Sequence, residues 1–112
     1  MTAIDRPTFE GLEETTGRDF VRELVDTFLK EAPVMLDDLR TSLAKQDAEH
    51  FRRAAHSLKS NANTFGALAL GAIARDLEVS GVAQVRERGP DALGGVQAEY
   101  ERVASELKEL RG

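Results

Sequence analysis

Apolar residues in this chain recur three and four positions apart, almost from end to end. Phe20, Leu24 and Phe28, with Val21 and Val25 beside them, open a stripe that continues through Ala32, Leu36, Leu39 and Leu43. A second stripe reads Phe51, Ala55, Leu58, Ala62, Phe65. A third reads Leu70, Ile73, Leu77, and a fourth Leu93, Val96, Tyr100, Val103, Leu107, Leu110. A period near 3.6 puts each set on one face of a helix; a strand, with its period of two, cannot use it. Composition agrees: Ala and Leu number 28 against 10 for Val and Ile, so strand formers are scarce. Each stripe must be buried, and four helices do so economically by packing together. The expectation is an all-α chain, an antiparallel four-helix bundle with a short N-terminal helix and a kink or break near Pro33.

Punctuating residues set the expected boundaries. Residues 1–8 are polar, contain Pro7, and read as a flexible arm; Phe9 and Leu12 suit a short lead-in helix. Thr15-Thr16-Gly17 breaks the chain and supplies caps. Pro33 falls inside the first long stripe, so two helical segments are expected to meet around Glu31–Pro33. Asp47 suits an N-cap, and Gly66 takes the place of a glycine just past a helix end. Gly81 is expected to close a helix from about Ala67 to Ser80, and Gly89-Pro90 marks another break. The 112 residues hold no linker or repeat, so 1–112 reads as one domain.

Several kinds of chemistry are excluded by what is scarce. The chain has no cysteine, which removes disulfides, thiolate catalysis and sulfur-ligated metals. Two histidines make a histidine metal cage implausible, and no metal or cofactor site is expected. A net charge of −5 argues against nucleic acid as a partner. No run approaches the roughly 20 apolar residues of a membrane span, and the N-terminus lacks the apolar core of a signal peptide, so a cytoplasmic place is expected. No phosphate-binding loop, dinucleotide fingerprint or nucleophile elbow is present, so the chain has no means of its own to bind ATP.

The helical wheel separates the two histidines. With Phe51 at zero and about 100° per residue, Ala55, Leu58, Ala62 and Phe65 fall within about 40°. Lys59 falls at about 80°, Arg52 at 100°, Asn63 at 120°, His56 at 140° and Ser60 at 180°, one exposed patch, while His50 lies on the opposite flank at about 260°. Imidazole, with an ordinary pKa of about 6.5, is a usable nucleophile near neutral pH. A lysine one turn on can steady a phosphoryl group beside the ring. A small residue at the next position leaves room for a partner's active site.

The run Ala55-His56-Ser57-Leu58-Lys59-Ser60-Asn61-Ala62-Asn63-Thr64-Phe65-Gly66-Ala67 resembles the signature of histidine-containing phosphotransfer (HPt) domains. That pattern is His, Leu two residues on, Lys at three, a small residue at four, and Gly then a small residue at ten and eleven. All are present, with Ser60 where the family often has Gly. An upstream Phe-rich helix with an acidic-Pro junction, here Glu31-Ala32-Pro33, is also similar; the C-terminal part matches only in pattern. The resemblance implies a phosphorelay carrier, not an autonomous enzyme. His56 would take a phosphoryl group from a receiver-domain phospho-aspartate and pass it to another receiver aspartate. Lys59 would steady the phosphoryl oxygens, Ser60 would admit the partner, and Mg²⁺ would sit on the partner receiver. Arg52 and Asn63 are polar neighbours that could touch phosphate or partner, or serve as ordinary solvated residues.

The partners so implied are receiver domains of a hybrid histidine kinase or response regulators, and a monomer is expected. Met1 and the compact ends favour a stand-alone protein. The alternatives are an HPt module excised from a hybrid kinase, a helical adaptor without chemistry, and a small hydrolase with His56 as general base, for which the helix face offers no second catalytic group beyond Ser60.

Overall fold

The computed structural model describes residues 2–112, all-helical in their regular structure. Five helices follow one another: α1 (Arg6–Thr16), α2 (Arg18–Lys45), α3 (Ala48–Thr64), α4 (Leu68–Glu87) and α5 (Gly94–Arg111). The apolar stripes meet in a shared core. Phe51, Ala55, Leu58 and Ala62 of α3 are fully buried, as are Val25 and Leu39 of α2, Leu70 and Ala74 of α4, and Val103 and Leu107 of α5. Phe28 links three elements: its ring centroid lies 5.4 Å from Phe65 and 6.0 Å from Tyr100. α3 packs most extensively against α4 and next against α2, while α5 lies against α2 and α4.

Two expectations are corrected. First, α2 runs unbroken from Arg18 to Lys45 with Pro33 inside it, so no two segments meet at Glu31–Pro33. A proline removes one helical hydrogen bond and crowds the preceding turn. Here Pro33 is exposed, where water can satisfy the freed carbonyl, while buried Ala32 and Leu36 hold both sides of it to the core. Gly81 ends the first part of α4 as expected: at φ +78°, ψ 171° it leaves the helical region, and a second helical segment follows across the kink, where Val82 and Val85 enter the core.

Second, residues 3–8 are no arm; residue 1 lies outside the described residues. Ala3 and Ile4 are buried. Their backbone N–H groups donate to Glu106 Oε2 of α5 at 2.5 and 3.2 Å. Asp5 caps α1 by accepting from the Thr8 N–H at 3.2 Å, and its own N–H donates to the Gly66 carbonyl at 2.8 Å. α1 then starts at Arg6, with Pro7 in its first turn, where the missing donor costs nothing.

Candidate functional site

Both ends of α3 are fixed by local chemistry. Asp47 accepts from the His50 N–H at 3.1 Å, an N-cap, with Glu49 in the positively polarised first turn. At the other end Gly66 takes φ +85°; its N–H donates to Asn63 O at 3.1 Å and the Ala67 N–H to Ala62 O at 2.9 Å. These paired bonds satisfy the orphan carbonyls of a helix end and need a residue free to adopt positive φ. The chain then returns as α4.

α4 approaches α3 closely because small residues face it. Ala67, Gly71 and Ala74 are buried, and a Cβ on Gly71 would fall 2.1 Å from Asn63 Oδ1 of α3. Continuing that face by four residues gives Glu78, which reaches across the seam. His56 Nδ1 lies 2.9 Å from Glu78 Oε2, and Lys59 Nζ lies 2.8 Å from Glu78 Oε1. One carboxylate thus bridges the histidine and the lysine. The His56 side chain is 54% exposed, against 16% for Glu78 and 24% for Lys59, so the ring stands out over a half-sheltered ion pair. The Lys59 hydrogen bond is the main influence holding the Glu78 carboxyl below the usual glutamate range; partial burial opposes it and the His56 bond adds to it.

The other residues singled out from the sequence sort clearly. Ser60 is exposed on the same side as His56 and unobstructive. The Asn63 amide lies over Gly71 and packs the seam. Arg52 is exposed and, among the described residues, holds no ion pair or side-chain hydrogen bond. His50 sits apart on the other flank of α3, its Nδ1 4.0 Å from Asp47 Oδ2. Sequence reasoning missed Glu78. Its signal was the heptad-like spacing Gly71, Ala74, Glu78, in which the small residues mark the face turned to α3.

With Nδ1 donating to a carboxylate, an imidazole keeps its lone pair on Nε2. The arrangement offers a nucleophilic ring nitrogen held by a rigid helix, with a cation one turn away. No group of three or more His, Cys, Asp or Glu side chains is gathered to hold a metal among the described residues. No helix among them is long and apolar enough to cross a membrane.

Comparison with known proteins agrees with this geometry. A family model described as the Hpt domain matches residues 23–111. The chain is similar to the solved structure of histidine-containing phosphotransfer protein B from Pseudomonas aeruginosa PAO1, at 28% identity and a TM-score of 0.86 over 96% of this chain and 93% of that one. No curated protein matches the chain. An all-α scaffold that exposes one histidine ring in this signature, with a family match across four of its helices, is a histidine phosphotransfer domain: the chain belongs to the Hpt family.

Proposed function

We propose that His56 is the phosphoacceptor of a two-component phosphorelay and that its Nε2 is the reacting atom. The observation that carries this is the 2.9 Å contact between His56 Nδ1 and Glu78 Oε2, which leaves Nε2 as the unengaged ring nitrogen. The Nε2 lone pair attacks the phosphorus of a receiver's aspartyl phosphate in line. The P–O bond to the aspartate breaks, its electrons return to the carboxylate, and the phosphoryl group resides on Nε2. The reverse displacement, by the aspartate of a second receiver, discharges it. As the ring gains the phosphoryl group its positive charge grows, and Glu78 stands at Nδ1 to balance it. Lys59, one turn from His56 and on a flexible stem, swings from Glu78 to the phosphoryl oxygens. Ser60 leaves room for the partner. Mg²⁺ belongs to the receiver in this reading.

The reading takes α2–α5 as an antiparallel four-helix bundle whose work is to keep the His56 helix rigid. It places the domain in the cytoplasm as a monomer that meets receiver domains of a hybrid kinase or response regulators, with neither nucleic acid nor membrane as partner. The test is incubation with a ³²P-labelled phospho-receiver and Mg²⁺. Label should move to this chain, be lost in acid and kept in base. It should vanish in His56→Gln and survive in His50→Gln. Label that persists in His56→Gln overturns the assignment. A chain that binds its partners normally but never takes label is an adaptor.

A further inference from the structure

We infer that the cleft between the end of α2 and the α4–α5 connection binds a small amphipathic monoanion, a carboxylic acid with an aryl or alkyl body.

The cleft lies where the last turns of α2 and α4 meet the first turn of α5, and its volume is about 500 Å³. Small-molecule sites span roughly 300–1,000 Å³. None of the residues lining it belongs to α3, so it is separate from the His56 site and independent of what His56 does. Its wall is mostly apolar: Leu43 and Ala44 come from α2, Pro90 and Leu93 from the connection.

Local bonds fix these walls. In the connection, the Ala92 N–H donates to the Gly89 carbonyl at 3.2 Å and the Gly94 N–H to the Asp91 carbonyl at 2.9 Å. Arg88 reaches back across the Gly81 kink to Asp76 Oδ2 at 2.7 Å and Ser80 Oγ at 2.8 Å, which ties the two parts of α4 together. A site held in this way loses little freedom when a ligand enters.

Charge selects the ligand. Arg40 is neutralised by Asp37, and its Nη1 donates to Gln97 Oε1 at 3.0 Å. Arg86 differs. Its Nη1 donates to the Leu43 and Ala44 carbonyls at 3.1 and 3.3 Å, which are neutral groups, and it has no acidic partner among the described residues. One guanidinium therefore keeps its charge beside an apolar wall, and its remaining N–H donors suit a planar carboxylate. Asp91, exposed on the rim, opposes a second negative charge, so the ligand is a monoanion. Its apolar body covers Leu43, Ala44 and Leu93.

Phenylbutyrate is the probe, titrated into the whole chain and followed by amide NMR. Shifts should saturate together at Leu43, Ala44, Gly89 and Gly94, with a dissociation constant of about 1 mM for a ligand of this size. Phenylbutyramide, equal in shape but uncharged, should bind about tenfold more weakly, as should Arg86→Gln toward the acid. Arg86 also holds carbonyls of α2, so a second variant separates binding from folding. Ala44→Phe, at an exposed position, leaves Arg86 in place and fills the cleft; it should keep the helical circular dichroism spectrum and lose the shifts. Arg75→Gln, an exposed arginine elsewhere on α4, should bind as wild type does. Equal affinity for acid and amide would overturn the proposal. So would undiminished binding in Ala44→Phe, an equal loss in Arg75→Gln, or the absence of saturable shifts at these four amides.

Discussion

A carboxylate that touches both a histidine and a lysine divides one negative charge between them, and the division at Glu78 matters for the chemistry. It sets the imidazole's tautomer and keeps Lys59 close to the ring without immobilising its stem. Glu78→Gln keeps the shape and removes the charge. Transfer from a phospho-receiver should slow by about tenfold, comparable to losing the carboxylate that orients a histidine at other sites, with the circular dichroism spectrum unchanged. An unaltered rate would reduce Glu78 to a surface residue. Its pH behaviour has a definite sign. A carboxyl held below its unfolded value stabilises the fold fully above about pH 4.3, and that contribution is lost as the pH falls through the folded value. Thermal scans of Glu78→Gln should therefore converge on wild type as the pH is lowered through that range. At this scale the sequence was half legible. The wheel separates His56 from the core because both lie on one helix, whereas Glu78 acts from another helix, 22 positions on, and a single-helix projection does not show it.

Helix ends and seams are the next scale, and two glycines show that one substitution can have two outcomes. Gly66 sits at φ +85°, and a Cβ there would meet the Asp5 carbonyl oxygen at 2.8 Å and Thr8 Cβ at 2.9 Å, neither of which yields easily. Gly66→Ala should lower stability by about 2 kcal/mol, mostly the cost of left-handed backbone for a residue with a side chain. Gly71 is helical, and the Cβ it lacks would meet only the end of the exposed Asn63 side chain, which can rotate away. Removing a mid-helix glycine favours the helix by about 1 kcal/mol, so Gly71→Ala should fall within about that amount of wild type. Urea denaturation of the two variants checks both values. Gly66 was readable in advance because a glycine after a periodic run is a local signal. The continuity of α2 through Pro33 was not, because it depends on Ala32 and Leu36 being held by other helices. The end at Gly81 was readable in the same way as Gly66, but the helical segment beyond it was not, because the pull of Val82 and Val85 toward the core is tertiary.

At the scale of the whole molecule, the N-terminal segment ties the end of the acceptor helix to the last helix. Glu106 of α5 holds the Ala3 and Ile4 amides, Asp5 bonds Gly66 at the end of α3, and Ile4 between them is 1% exposed. Nothing local in a short polar stretch with a proline announces this; it comes from a carboxylate about a hundred residues away. The Hpt family match begins at residue 23, so this strap and α1 lie outside it, although the similarity to the Pseudomonas structure covers 96% of the chain. A free arm and a docked strap differ in a single measurement. If residues 3–5 were an arm, Ile4→Ala would leave stability untouched. With the side chain buried as it is, the substitution removes apolar burial and opens a cavity, so stability should fall by about 2–5 kcal/mol. Amide exchange should quicken at Ile4–Phe9 first, since the α1 cap at Asp5 loses its anchor. His56 is ten residues from Gly66, with fully buried Leu58 and Ala62 between them holding α3 in place. Labelling of folded Ile4→Ala by phosphoramidate should therefore match wild type. A fall in that rate in step with the loss of stability would mean that the strap reaches the acceptor site.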